Sequence, residues 1–103
     1  MIGESKIIRH EGADVEVSCE KVSNEICPTC NSVIGKSGSH SYRFTAKVDE
    51  TTFHHSLTVG PVDGEVVVPT REQLQKDIDH ARKYAARHAH FHHQVGMLEK
   101  EID

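Results

Sequence analysis

The stretch YAARHAHFHHQVGML, residues 84–98, decides the reading of the fold, because it places four histidines within six positions of a proline-free helical pattern. On a helical wheel turning about 100° per residue, Leu74, Ile78, Ala81 and Ala85 fall within one narrow arc. Further steps of three and four carry that arc to His88, His92 and Val95. His88 and His92 therefore stand one above the other on the expected core face, where leucines would be ordinary. His90 and His93 then point to solvent, and His80, Tyr84 and Phe91 flank the stripe. Upstream, Thr70 and Gln73 fit a capping box, with Thr70 as N-cap and Gln73 reaching back to it. The pattern predicts a helix over 70–102, firm to about residue 95, with Gly96 as a point of bending or fraying.

Ahead of the helix the periodicity changes from 3.6 to 2. In ADVEVSCEKV (13–22), Ala13, Val15, Val17 and Cys19 alternate with polar residues. SYRFTAKVD (41–49) and TTFHHSLTV (51–59) repeat the alternation, the first with Tyr42, Phe44, Ala46 and Val48 on one face, the second with Phe53, His55, Leu57 and Val59. Asp49-Glu50 between them predicts a hairpin turn. GEVVVP (64–69) is a further candidate strand, SKIIRH (5–10) a short edge strand, and GKSGSHS (35–41) a mobile loop. The expected architecture is α+β: a small antiparallel sheet of four to five strands, with one long C-terminal helix packed on it.

The length of 103 residues implies a single domain, with sheet and metal-binding turn in 1–69 and helix in 70–102. The apolar supply is thin, at 36% hydrophobic residues with no tryptophan, which leaves room for a metal as a staple. A net charge of −4 excludes a globally basic surface for nucleic acid. Three cysteines cannot all pair, and MIGESKIIRHEG carries no apolar run of signal-peptide length. No segment is apolar enough to span a membrane. These features predict a reducing, cytoplasmic setting.

Buried imidazoles need partners, and a metal satisfies both by taking one lone pair from each. Cys27 and Cys30 in ICPTCNSVIG carry the spacing with which two thiolates bind one ion. These ten residues resemble a zinc knuckle. A zinc ribbon would add a second CxxC, which is missing here, and His88 and His92 fill that vacancy. The expected site is a structural Zn²⁺ held by Cys27, Cys30, His88 and His92. The pairing resembles the coordination scheme of the ββα zinc finger, but 57 residues lie between Cys30 and His88, so finger-type DNA binding does not carry over. His55 and Cys19, on the apolar faces of their strands, are alternative ligands or supports for the site; core packing is the blander role for both.

A four-ligand site leaves the metal no open position, and no nucleophile-base or paired-carboxylate motif stands out. The expected function is therefore non-enzymatic: a small protein-interaction or regulatory module of the adaptor or inhibitor type. Nucleic-acid binding through Lys76, Lys83 and Arg87 on the outer helix face is the alternative, with Arg82 close by. A third is an HNH-like metal-dependent nuclease, which FHHS (53–56) resembles in part; the later Asn and His of that pattern are missing. Another protein is the expected partner, and a homodimer through the edge strands or the tail MLEKEID (97–103) is an open option.

Overall fold

A computed structural model describes residues 3–22, 40–60 and 68–102. Four strands, β1 (Ser5–His10), β2 (Ala13–Val22), β3 (His40–Val48) and β4 (Thr51–Val59), precede one helix, α1 (Arg71–Glu101). The strands form an antiparallel meander in the order β1-β2-β3-β4. The α+β architecture is the expected one. Cys27 and Cys30 lie outside the described residues, as do most of GKSGSHS and most of GEVVVP; Val68 and Pro69, at the end of that segment, are not in a strand. No helix among the described residues is long and apolar enough to cross a membrane.

Alternation buries one sheet face. Val15, Val17 and Cys19 of β2 and Tyr42, Phe44, Ala46 and Val48 of β3 form the floor of the core. The outer strands are less covered, and Phe53, Leu57 and Val59 of β4 are half-buried. Glu11 and Gly12 join β1 to β2 with φ of 48° and 84°. Positive φ at both central residues is the condition of a type I′ turn, whose twist matches the paired strands.

Thr70 caps α1 as expected, its hydroxyl accepting from Gln73 N at 3.1 Å. The Gln73 side chain does not reach back. It turns forward and donates to Asp77 Oδ1 at 3.0 Å, so the cap is one-sided. Gly96 does not end the helix, which continues to Glu101. At about 1.5 Å per residue its 31 residues span roughly 46 Å. The nine and ten residues of the central strands span only about 30 Å. The helix therefore overhangs the sheet.

Its buried face comprises Ile78, Ala81, Arg82, Ala85, Ala86, Ala89 and His90. Arg82 is 1% exposed, inside the core rather than close to the outer-face cations Lys83 and Arg87 as the sequence suggests. Its Nη1 donates to Val17 O at 2.9 Å and Glu4 O at 3.2 Å.

Candidate functional site

The core stripe runs from Ile78 through Ala85 to Ala89 and His90, and this corrects the expected phase. After Ala85 the winning step is four, to Ala89, rather than three, to His88. His90 is consequently 6% exposed instead of facing solvent, and His93 is half-buried. His88 sits at the border and is half-buried, while His92 is exposed. Alanine leaves the phase open, because it has no bulk to commit one side of the helix to the core.

The histidines divide between two flanks. On the β4 flank, rings run in sequence from strand to helix: His55 to Tyr84 at 4.5 Å, Tyr84 to His88 at 4.1 Å, and Phe53 to His88 at 5.4 Å and His92 at 5.6 Å. His88 and His92 do lie side by side, stacked on one phenyl ring. On the β1 flank, His10 meets His90, one Nδ1 donating to the other at 3.0 Å. Beyond them, His93 reaches the hairpin tip, with Nε2 3.3 Å from Asp49 Oδ2.

His10, Glu11 and His90 bring donor atoms within 4.8 Å of one another, a His₂Glu set able to hold a metal. Sequence reasoning passed over this group because it placed His90 outside. Steps of four from Ile78 through Arg82 and Ala86 would have found it. The four-ligand site cannot be assembled here, since Cys27 and Cys30 lie outside the described residues. Val22 and His40 bound that segment at the sheet end near Val59, which pairs with His40. Phe53, under His88 and His92, is six residues farther along β4, about 20 Å. The five residues from Val22 to Cys27 reach about 18 Å when fully extended.

Cys19 is 1% exposed, and burial pushes its thiol pKa up, so it is an unreactive core residue. Lys83 and Arg87 line a cleft of about 390 Å³ with Arg9, His10, His80 and Tyr84. Lys76 is not part of it and lies nearer the helix start with Arg71 and Glu72. Adjacent strand residues face opposite ways, so His54 bonds Thr45 on the outer face while His55 turns inward.

No family model, curated protein or solved structure matches the chain.

Burial lowers the His55 pKa below the ordinary 6.5, and the neighbouring His88 and His80 charges lower it further. The unfolded chain then takes up this proton before the folded one does. The His55 contribution to stability is complete above about pH 6.5 and is lost as pH falls to the folded value, below which it stays constant. Melting temperatures measured across this range should fall on acidification, and His55→Gln should flatten part of the slope. An unchanged slope in the variant would remove His55 from the account.

Proposed function

We propose that the chain is a small, non-enzymatic protein-interaction module that works by association through the overhanging end of α1, with a structural zinc supporting its fold. The observation that carries this reading is the exposure of large apolar side chains on the C-terminal third of α1: Phe91 56%, still beside the sheet, then Met97 54%, Leu98 58% and Ile102 76%. Single exposed apolar residues are ordinary, but a cluster on one short helical segment marks a contact surface. Zinc remains a proposal from the ligand spacing of Cys27 and Cys30 with His88 and His92. The placing of both imidazoles on the one Phe53 ring supports their acting as a pair.

The cleft lined by Arg9, Lys83 and Arg87 favours nucleic-acid binding as the second reading, since it gathers three cationic groups beside Tyr84, with Arg87 5.8 Å over its ring. The net charge of −4 weighs against it. The nuclease reading loses support because His54 and His55 lie on opposite faces of β4.

The test is capture from the source cells with tagged wild-type chain and tagged Leu98→Asp as matched baits, zinc being measured on both. The expected result is equimolar zinc on both baits and bound protein on the wild type alone. Equal recovery by the two baits, or nothing bound to either, overturns the interaction reading; absence of metal from both overturns the zinc.

A further inference from the structure

Tyr84, His88, Phe91, Val95, Leu98 and Ile102 follow one another at alternating steps of four and three. Those are the a and d positions of a heptad seam. The seam is continuous with the outer flank of α1. Tyr84 and His88 are half-covered by His55 and Phe53 of β4, whereas Phe91, Leu98 and Ile102 stand free. Between the two groups lies a groove of about 360 Å³ lined by Arg87, His88, Phe91 and His92.

We infer that the occupant of this seam is a second copy of the same chain, its helix antiparallel to the first. The inference rests on the interaction reading above and names its partner. A two-fold axis near residue 93 pairs Tyr84 with Ile102, His88 with Leu98 and Phe91 with Val95 of the second copy, using every seam position. Leu98 of the second copy then enters the groove between His88 and Phe91 as a knob enters its hole. The charges agree with this direction. Arg87 and Glu101 flank the seam on the same edge, two heptads apart. Antiparallel pairing sets each Arg87 against Glu101 of the other copy, and symmetry makes the contact twice. A parallel pair would face Arg87 with His92 and Gln94 with Glu99, giving no carboxylate to the arginine. Bulk also decides. The sheet packs along the helix to His90 and His93, and the β3–β4 hairpin tip reaches on to Lys100 through Glu50, so parallel helices would drive two sheets into the same space. Antiparallel helices carry the sheets to opposite ends.

Light scattering and sedimentation of the purified full-length chain over a concentration series test this. A concentration-dependent dimer is expected for the wild type, and a folded monomer for Leu98→Asp, whose circular dichroism should be unchanged because Leu98 is 58% exposed. Arg87→Glu and Glu101→Arg should each weaken the dimer roughly tenfold, since each turns two attractions into two repulsions. The double variant should recover the wild-type constant. A wild-type chain monomeric at every concentration, a dimer indifferent to Leu98→Asp, or a double variant no better than the singles overturns the inference. A monomer whose capture of other proteins still depends on Leu98 would overturn the second copy alone and leave the interaction reading intact.

Discussion

Arg82→Ala is expected to be one of the two most damaging substitutions in the described residues, lowering stability by about 3–5 kcal/mol. The guanidinium is 1% exposed and donates to the carbonyls of Glu4 and Val17. Hydrogen bonds to a charged group contribute about 1.5–3 kcal/mol each, and truncation also leaves a cavity beneath the helix. A domain of this size has about 5–15 kcal/mol in all, so the melting temperature should drop by roughly 15–30 °C. Thermal denaturation followed by circular dichroism measures it. Arg82→Met is the informative companion, because it keeps most of the volume and removes the charge. A methionine variant as stable as the wild type would show that the arginine contributes by filling space, its hydrogen bonds adding nothing net.

Phe44→Ala should cost about 3–5 kcal/mol by a different route. Phe44 is fully buried at the centre of β3, opposite Cys19 on one side and His55 on the other. The helix face above it is mostly alanine, whose side chains have no further reach with which to fill the gap. The urea midpoint should fall with little change in slope. Phe44→Leu should lose less than half as much, because it keeps most of the buried area. Equal losses for the two would mean that ring shape, through the contact with His55 at 6.2 Å, matters more than volume.

The sheet was legible in the sequence because period-two alternation is a local property. ADVEVSCEKV and TTFHHSLTV become strands over their full quoted lengths, and SYRFTAKVD shifts by a single residue. The helix and its Thr70 cap were equally plain. What local pattern could not supply was the rotation of α1 about its own axis. Between Ile78 and His93 the inward residues are mainly alanines, which fit either continuation of the stripe. The choice is made across space, by the meeting of His10 with His90 and by backbone carbonyls that receive Arg82. Neither partner leaves a mark near the helix in the sequence. Glu11 joined the imidazole pair unseen for the same reason, as it lies in a turn whose only local signal is the following glycine.

Arg82 also bears on the order in which the chain assembles. Its two carbonyl partners lie 78 and 65 residues away, while each strand of the meander pairs with its immediate neighbour in the chain. Closing a long loop costs more entropy than zipping a hairpin, and an alanine face gives the helix little reason to settle early. The hairpins should therefore form the nucleus, and docking of the helix should come after the rate-limiting barrier. An Arg82→Ala chain would then fold at nearly the wild-type rate and unfold much faster. A residue that strongly secures the finished molecule would be nearly absent from the step that builds it.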